Sequence, residues 1–415
     1  MKKTPKGMRL HIGIYGRRNV GKSSLVNAIT RQQVSIVSDV AGTTTDPVEK
    51  PMEMLPIGPV LFIDTAGIDD EGDLGKKRIQ KSRKAMERTD IAIIVSTADL
   101  WEDFEQNLIN EFSRLKITVI VVFNKVDILS PRADQLDSIS KQGISVVQSI
   151  AFKAVGINEL RDVLIANVPD YFLKSPSVTA NLVPPGEMAL LVVPIDYEAP
   201  KGRLILPQVQ VLRDLLDNDA YSMVVKETGL VQALNNLKKP PALVITDSQS
   251  FKEVGRDTPV EIPLTSFSIL FARLKGDLKE FVKGALSIGK LIPGDNILIA
   301  ESCSHHPIKG DIGREKIPLW LDKYVGGKLN YSTVQGHDFP EDLSKYKLVV
   351  QCGSCTFNPR LLKTRLNICR SANVPITNYG VAIAFMHGIF ERALAPFDEV
   401  KGILEENRKE ALLAG

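Results

Sequence analysis

The chain has 415 residues, of which 44% are hydrophobic and 24% charged, as in a globular protein of about two to four domains. Its formal net charge of +3 is too small to indicate binding to nucleic acid or to an anionic membrane. The basic start precedes only a short, broken apolar run, so we expect no signal peptide, no membrane span and a cytoplasmic location.

The first predicted elements are a strand at residues 10–15, a glycine-rich loop at 16–24 and a helix. The loop has the pattern G-x-x-x-x-G-K-S, in which backbone N–H groups and the helix N-terminus bind phosphates. Lys22 can reach the outer phosphates and Ser23 can ligate Mg²⁺. An ordinary glycine-containing turn is the alternative, but the strand–loop–helix context favours a P-loop. The predicted nucleotide contacts here are Arg18, Asn19, Val20, Gly21, Lys22, Ser23 and Ser24.

Two further segments predict the rest of a phosphate and metal site. The polar loop at residues 40–46 offers three threonines to the nucleotide. We assign Thr45 to the Mg²⁺ shell, Thr44 to catalysis and Thr43 to nucleotide contact. The next apolar strand ends in Asp64-Thr65-Ala66-Gly67, which predicts a Mg²⁺-linked Asp64 and a Gly67 that senses the γ-phosphate.

The base-recognition segment follows another apolar strand, at residues 119–123. It reads Asn124-Lys125-Val126-Asp127, in which the Asp can accept from two guanine N–H groups that adenine lacks, and the Lys can lie along the base. After the strand at residues 144–147, Ser149 and Ala151 are expected to add a contact to guanine. Each segment alone could be a helix cap or a turn. Four motifs in this order at strand ends predict a GTP-binding domain.

Residues 8–170 resemble the Era, EngA and MnmE branch of the translation-factor-related GTPases. The motifs that carry the resemblance are G-R-x-N-V-G-K-S, A-G-T-T-x-D, D-T-A-G and N-K-V-D. The resemblance implies GTP hydrolysis, with Lys22, Asn19 and Thr44 as catalytic residues and a K⁺ ion held by Asn19. Ile68 stands where Ras-like enzymes have a water-orienting Gln, so we expect unassisted hydrolysis to be slow. Because Asn19 is expected to hold K⁺, we also expect K⁺ to stimulate hydrolysis.

The middle of the chain begins with a proline-rich linker. Strands at 188–194, 221–225 and 242–247 then alternate with helices at 208–216 and 230–234, which predicts a small parallel sheet covered by helices. This segment has no His, no Cys and no nucleotide-binding pattern. We interpret it as structural or as a subunit interface.

All four cysteines lie beyond residue 300, which indicates a local site rather than stabilising disulfides. Residues 267–291 predict one long helix. A strand then runs into Cys303 and His305, and a later strand runs into Cys352 and Cys355, so the C-x-H and C-x-x-C motifs can converge. Buried structural cysteines, a closed zinc site and an iron–sulfur cluster on the three cysteines are the alternatives. Spacing alone does not separate the last two, although the missing second cysteine pair favours a cluster.

Over its whole length the chain resembles the HydF family, the GTPase maturation factors of iron–iron hydrogenases. The resemblance implies an α/β fold in three parts: a P-loop GTPase domain at 1–172, a small dimerisation domain at 173–263 and a cluster-binding domain at 264–415. It also implies a 4Fe–4S cluster on Cys303, Cys352 and Cys355. Because Gln351 stands where the family has its second His, His305 is one candidate for the fourth ligand, beside His306, Glu301 or water.

The same resemblance implies a scaffold that uses GTP/GDP, Mg²⁺ and K⁺. It would receive the two-iron precursor made with the enzymes HydE and HydG and deliver it to the apo-hydrogenase HydA, acting as a homodimer. We expect nucleotide state to time this process by ordering the loops at 43–45 and 67–73. The alternative is a tRNA-modification or ribosome-assembly GTPase with a zinc-stabilised C-terminal interaction domain, which the small net charge disfavours. Cys369 is expected to be a helix packing residue.

Overall fold

The computed structural model describes residues 4–30, 47–65, 81–173, 177–194, 204–302 and 311–414. The chain divides into two compact units, Met1–Ser175 and Pro176–Gly415. None of the helices in the described ranges is both long and apolar enough to cross a membrane.

The first unit is built on a six-stranded sheet of order β2-β3-β1-β4-β5-β6. Its strands are β1 Leu10–Tyr15, β2 Val48–Met54, β3 Gly58–Asp64, β4 Ile91–Ser96, β5 Thr118–Asn124 and β6 Ser145–Ser149. The edge strand β2 pairs antiparallel with β3, and the other described pairs are parallel. Every residue of β1 and β4 is buried, because helices cover both faces of the sheet.

The helices of the first unit connect these strands and form two apolar layers with the sheet. Their bounds are Lys22–Thr30, Asp103–Arg114, Ala133–Ser140, Ile157–Ala166 and Asp170–Leu173, and residues 81–86 are also helical. The strand directions place the P-loop, Asp64 and Asn124 at the same carboxyl edge of the sheet. Open α/β sheets bind their ligands at this edge.

The second unit contains two four-stranded sheets of order β10-β9-β7-β8 and β12-β11-β13-β14, with all described pairs parallel. The strands of the first sheet are β7 Met188–Val192, β8 Tyr221–Val225, β9 Leu243–Thr246 and β10 Leu264–Ser266. Those of the second are β11 Asn296–Glu301, β12 Asn330–Gln335, β13 Leu348–Gln351 and β14 Ile376–Asn378. The parallel βαβαβ arrangement predicted for the middle of the chain is confirmed.

Helices surround both of these sheets, and one hydrophobic core runs through the unit. Their bounds are Leu206–Asp217, Leu230–Asn235, Phe251–Asp257, Phe267–Lys275, Leu278–Leu286, Ile317–Val325, Pro359–Ser371, Tyr379–Met386, Phe390–Leu394 and Lys401–Ala414. The shared core includes Leu191 of β7, Ile299 of β11 and Phe271 of a helix. The two sheets therefore form one packed body rather than two separate cores.

The single helix predicted over residues 267–291 is wrong, because the chain breaks it at Gly276 and Asp277. Gly276 leaves the helical region, with φ −117° and ψ −135°. The Asp277 side chain then accepts a hydrogen bond from the Glu280 N–H at 3.3 Å and starts a second helix. A Cβ on Gly276 would lie 2.6 Å from the Phe281 ring. The N-cap and the glycine outweigh the continuous apolar pattern.

Candidate nucleotide and metal-cluster sites

The P-loop contains two glycines that no other residue could replace without strain. Gly16 has φ +138° and Gly21 has φ +96°, both in the left-handed region. A Cβ on Gly16 would lie 2.1 Å from the carbonyl oxygen of Val95, and one on Gly21 would lie 2.2 Å from Nδ2 of Asn124. The loop is therefore pressed against the ends of β4 and β5.

Lys22 is buried inside the curve of the P-loop. Its Nζ donates to the carbonyl oxygens of Gly16 at 3.0 Å and Arg17 at 2.6 Å. Val20 is buried, whereas Arg18 and Asn19 are exposed. The loop thus concentrates a cation and backbone N–H groups at one helix N-terminus, an arrangement suited to phosphate.

Two predicted Mg²⁺ ligands are in direct contact. The Ser23 hydroxyl donates to Oδ2 of Asp64 at 2.7 Å. Close to them, the buried Lys50 donates to Oδ1 of Asn27 at 2.5 Å. Burial lowers the pKa of Lys50, and the nearby Asp64 opposes that effect. The hydroxyl and carboxylate oxygens are hard ligands of the kind Mg²⁺ prefers.

Asn124 connects three motifs that are far apart in the sequence. Its Nδ2 donates to the carbonyl oxygen of Val20 at 2.9 Å. Its Oδ1 accepts from the Ala151 N–H at 3.0 Å and from the Ser149 hydroxyl at 3.2 Å. One buried amide therefore fixes the P-loop, the N-K-V-D segment and the last loop relative to one another.

The other members of the base-recognition segment lie nearer the surface. Lys125 donates to the carbonyl oxygen of Asn19 at 2.7 Å, which joins this segment to the P-loop a second time. Asp127 forms an ion pair with Lys153 at 3.3 Å. The predicted guanine contacts are thus held at the same edge of the sheet as the P-loop.

Arg17 is a P-loop residue whose role the sequence did not indicate. Its guanidinium pairs with the fully buried carboxylate of Glu105 at 3.0 Å and with Glu102 at 3.0 Å, and lies 5.0 Å from the ring centre of Phe104. The hydrogen bond that Arg17 donates to the Glu105 carboxylate raises the pKa of Arg17. Arg17 therefore anchors the P-loop to the start of the helix Asp103–Arg114.

Six of the predicted site residues lie outside the described residues. They are Thr43, Thr44, Thr45, Gly67, Cys303 and His305. Ile68, which motivated the expectation of slow hydrolysis, and His306 also lie there.

The described part of the cysteine region brings the ends of β11 and β13 together. The Sγ of Cys352, just after β13, accepts a hydrogen bond from the Ser302 N–H at 3.1 Å and lies 2.9 Å from the Ser302 hydroxyl. Ser302 follows β11 and directly precedes Cys303 in the sequence. Cys352 and Cys355 are both partly exposed free cysteines.

Gln351 is buried, and both the oxygen and the nitrogen of its amide contact protein partners. Its Oε1 accepts from Arg365 at 2.9 Å. Its Nε2 donates to the Ala300 carbonyl at 3.1 Å and to the Ser354 hydroxyl at 3.2 Å. The amide oxygen is the atom that could ligate a metal, and here it accepts from Arg365. Gln351 therefore supports the loop at residues 352–357, called the cysteine loop below.

Arg365 fixes that support from the other side. It is almost fully buried, and it donates to the Gly336 carbonyl at 2.5 Å as well as to Gln351. Its guanidinium lies 4.8 Å from the ring centres of both Phe339 and Phe357. This cation is stacked between rings, as a planar guanidinium allows and an ammonium does not.

Lys275 reaches the cysteine loop from the end of the helix Phe267–Lys275. Its buried Nζ donates to the carbonyl oxygens of Ser354, Cys355 and Phe357. Burial lowers the pKa of Lys275 to about 8, an effect opposed by Cys355 and Cys352. Burial likewise raises the pKa of the Cys355 thiol to about 11, with a further increase from Cys352 and an opposing effect of Lys275.

Glu301, a candidate fourth ligand, and Cys369, the remaining described cysteine, are both buried among protein groups. The buried Glu301 carboxylate accepts from Arg314 at 3.3 Å and from Gln335 at 3.2 Å, so both partners hold it in place. Cys369 is fully buried in the helix Pro359–Ser371, and burial raises its pKa to about 12. The prediction that Cys369 is a packing residue is confirmed.

Within the part of the chain that the structure describes, no group of three or more His, Cys, Asp or Glu residues is arranged around a metal position. The described cysteine donors are Cys352 and Cys355. Paired, partly exposed thiols at strand ends fit the ligand chemistry of an iron–sulfur cluster or of zinc.

Three family models match the chain. Residues 11–125 match the 50S ribosome-binding GTPase model. Residues 178–276 match the hydrogen maturase F dimerization domain, and residues 279–396 match the hydrogen maturase F tetramerization domain. The last two matches together cover more than half of the chain. The chain belongs to the hydrogen maturase F family.

Two curated relatives each match a part of the chain. GTPase Der of Wolinella succinogenes is 43% identical over 125 residues, which are 29% of this chain and 26% of that protein. The tRNA modification GTPase MnmE of Aquifex aeolicus is 34% identical over 170 residues, 40% of this chain and 36% of that protein. The chain therefore spans about a quarter to a third of the length of these two relatives.

A solved structure shows a weak likeness to this chain. A structure of an Aquifex aeolicus Era variant bound to GDP and AlF₄⁻ is 22% identical and covers 52% of this chain and 92% of that one. The TM-score of this match is 0.36.

The family assignment confirms the predicted α/β architecture, a P-loop GTPase domain followed by two maturase domains. The N-terminal unit is a GTPase domain, which supports binding of GTP or GDP with Mg²⁺ and hydrolysis of GTP. The alternative of a tRNA-modification or ribosome-assembly GTPase is not favoured, because residues 178–396 match hydrogen maturase F.

The sequence missed several residues that support these sites. They are Arg17, Lys50, Lys275, Ser302, Ser354 and Arg365. Lys275 ends a helix that also carries Arg273 in its last turn, so its position alone does not mark it as a site residue.

Proposed function

We propose that this chain is a cytoplasmic GTP-hydrolysing scaffold for hydrogenase maturation. It binds a 4Fe–4S cluster, holds the two-iron precursor of the hydrogenase active site and delivers it to the apo-hydrogenase HydA. Membership in the hydrogen maturase F family supports the maturation role. The contact between Ser302 and the sulfur of Cys352 carries the cluster assignment.

That contact supports a three-cysteine ligand set. Ser302 contacts the sulfur of Cys352, and Cys303 is the next residue in the sequence. The proposed ligands are Cys303, Cys352 and Cys355. Gln351 and Glu301 are engaged by other partners, so His305 is our first candidate for the fourth ligand, with His306, water or an added ligand as the alternatives. When bound, the cluster supplies an iron at which the precursor can be held.

In the GTPase site we propose that Lys22 and the P-loop N–H groups bind the phosphates. Ser23 and Asp64 then hold Mg²⁺ with Thr45, and Asn124, Lys125 and Asp127 recognise guanine together with the loop of Ser149 and Ala151. The contact between Ser23 and Asp64 supports the metal assignment. Catalysis is assigned to Lys22, Thr44 and Asn19.

Asn19 is also the proposed K⁺ ligand. It lies on the exposed part of the P-loop in a left-handed conformation, with φ +59°. We expect GTP hydrolysis to be faster in KCl than in NaCl at equal ionic strength. The Asn19→Ala variant should lose the difference between the salts. Equal rates of the natural chain in both salts would contradict this part of the proposal.

The C-terminal parts carry assembly and partner binding in this proposal. The functional division is a GTPase domain at 1–172, a dimerisation domain at 173–263 and a cluster domain at 264–415. The names of the two matched maturase models support self-association, with a homodimer as the basic unit. HydE and HydG are the proposed donors of the two-iron precursor, and the nucleotide state times their binding.

Anaerobic reconstitution with iron and sulfide tests the cluster assignment. We expect about four irons and four sulfides per chain, as a 4Fe–4S cluster requires, and an EPR signal after reduction. Cys303→Ser should lose this signal. Cys369→Ser is the matched control and should keep it, because Cys369 is a buried packing residue. Preferential zinc binding without the signal would overturn the cluster and the scaffold role that depends on it.

A further inference from the structure

Lys275 is a buried cation next to the cysteine loop, and it is not one of the proposed cluster ligands. Lys275 is only 3% exposed. Its Nζ lies 2.9 Å from the carbonyl oxygen of Ser354, 3.0 Å from that of Cys355 and 2.9 Å from that of Phe357. These carbonyls span the turn that includes the second cysteine of the C-x-x-C motif. One side chain therefore fixes the backbone of this turn.

The contacts also define the charge of this group. A lysine that donates to three acceptors uses three N–H bonds, which only the ammonium form possesses. Among the residues that the structure describes, Lys275 forms no ion pair with a carboxylate, although its Nζ lies 5.5 Å from the ring centre of Phe271. A buried ammonium is costly unless a negative group lies nearby. When they ligate a metal as thiolates, Cys352 and Cys355 are the negative groups that this loop can supply.

We infer that Lys275 is a positioning residue that holds the C-x-x-C turn and supplies its fixed counter-charge, so that the bound cluster is easier to reduce. This inference rests on the proposed cluster. A thiolate-ligated 4Fe–4S cluster gains one negative charge on reduction, and a nearby cation in a low-dielectric site stabilises the more negative state. Hydrogen bonds and charge around the sulfurs are recognised determinants of cluster potential.

A simpler role for Lys275 is mechanical, in which the ammonium only ties down three carbonyls. Three substitutions separate the two roles. Lys275→Gln keeps hydrogen-bond donors and removes the charge, Lys275→Arg keeps the charge, and Lys275→Met removes both. Lys279→Gln is the matched control, since Lys279 is an exposed lysine four residues along the chain.

The experiment is anaerobic reconstitution of the full chain and its variants, followed by iron and sulfide analysis and an EPR-monitored redox titration. In Lys275→Gln we expect near-normal iron content and a reduction potential shifted to more negative values. At a fixed potential near the midpoint, the ratio of reduced to oxidised cluster should fall about tenfold, which is about 59 mV for one electron. Lys275→Arg should restore most of the potential, and Lys279→Gln should match the natural chain.

The outcomes separate this inference from the proposal on which it rests. Failure of the natural chain to bind about four irons would overturn the cluster itself and the role of Lys275 with it. A normal cluster whose potential is the same in Lys275→Gln as in the natural chain would overturn only the counter-charge. If Lys275→Met folds poorly, its thermal unfolding shows this directly, and the Gln and Arg variants still decide between the two roles.

Discussion

Two buried lysines, one in each unit, both donate to backbone carbonyl oxygens. Lys22 belongs to a recognisable sequence motif, whereas Lys275 does not. Lys22 donates to the carbonyls of Gly16 and Arg17, which lie six and five residues before it, respectively. Lys275 donates to carbonyls that lie 79 to 82 residues after it. A site made within one loop leaves a motif in the sequence. A site assembled by the packing of a helix against a distant loop leaves none.

The largest expected effect is at the support of the second site. Arg365→Met removes the partner of Gln351 and of the Gly336 carbonyl, leaving buried acceptors unsatisfied. We expect the second unit to lose about 2 to 4 kcal/mol of unfolding free energy. Urea unfolding followed through Trp320, in a Trp101→Phe background, measures this.

The control for Arg365 is Arg370→Met, on the same helix. Arg370 is half-exposed and lies 3.7 Å from Glu280, so its loss should cost less than about 1 kcal/mol. Equal losses in the two variants would show that the Arg365 contacts add nothing specific to the second unit.

At the first site, Lys22→Met should reduce kcat/KM for GTP hydrolysis by about 100-fold, because the cation on the transferring phosphate is lost. About 2.7 kcal/mol of transition-state stabilisation corresponds to this factor. Steady-state phosphate release measures it, and the cluster content should be unchanged. Lys141→Met, at an exposed lysine of the same unit, should hydrolyse GTP normally. An equal loss of activity in Lys141→Met would show that the effect is not specific to Lys22.

The pH dependence of stability should also differ between the units. Burial acts to raise the pKa of Glu49, but hydrogen bonds from Lys6 and Arg88 dominate and lower it from 4.5 to about 2. A carboxyl with a depressed folded-state pKa stabilises the fold above its unfolded pKa, and this stability is lost as pH falls toward the folded value. The first unit should therefore lose on the order of 2 kcal/mol between about pH 5 and pH 2.

Acid titrations followed through Trp101, in a Trp320→Phe background, measure this loss. Glu49→Gln should reduce the loss of unfolding free energy at low pH. Glu53→Gln, at an exposed position of the same strand, should leave that loss unchanged. If Glu49→Gln loses as much unfolding free energy at low pH as the natural chain, other groups cause the acid sensitivity.

The smallest expected effect concerns the anchor of the P-loop. Glu105→Gln keeps a hydrogen-bond acceptor for Arg17 but removes the buried charge, so the loop should hold the phosphates less firmly. We expect kcat/KM for GTP to fall about three- to tenfold, equivalent to about 1 kcal/mol. The matched variant Glu102→Gln removes the more exposed carboxylate and should have the weaker effect. The reverse order would mean that Glu105 does not anchor the loop.

The sequence predicted the strands of the GTPase sheet that are continuously apolar, together with the motifs that follow them. It missed β2, an edge strand in which Glu49, Lys50 and Pro51 interrupt the apolar pattern. It also missed the three-residue strands β10 and β14, because their pairing comes from neighbouring strands rather than from local propensity.

The candidate sites show the same limit. Ser23 and Asp64 could be predicted because each belongs to a short motif at the end of an apolar strand. Arg365 and Gln351 could not, since their contact depends on how the helix Pro359–Ser371 packs against β13. The sequence suggested Gln351 as a replaced ligand, and the structure gives it partners instead.

The helix Phe267–Lys275 begins directly after β10 of the first sheet in the second unit and ends at the cysteine loop. Its nine residues make a rod roughly 13 Å long. A helix packed on most sides transmits displacement along its axis rather than absorbing it. In the proposed assembly, a displacement of that sheet would therefore reach the Lys275 ammonium and the cysteine turn along this helix. Assembly and the electrostatics of the cysteine site would then depend on one helix.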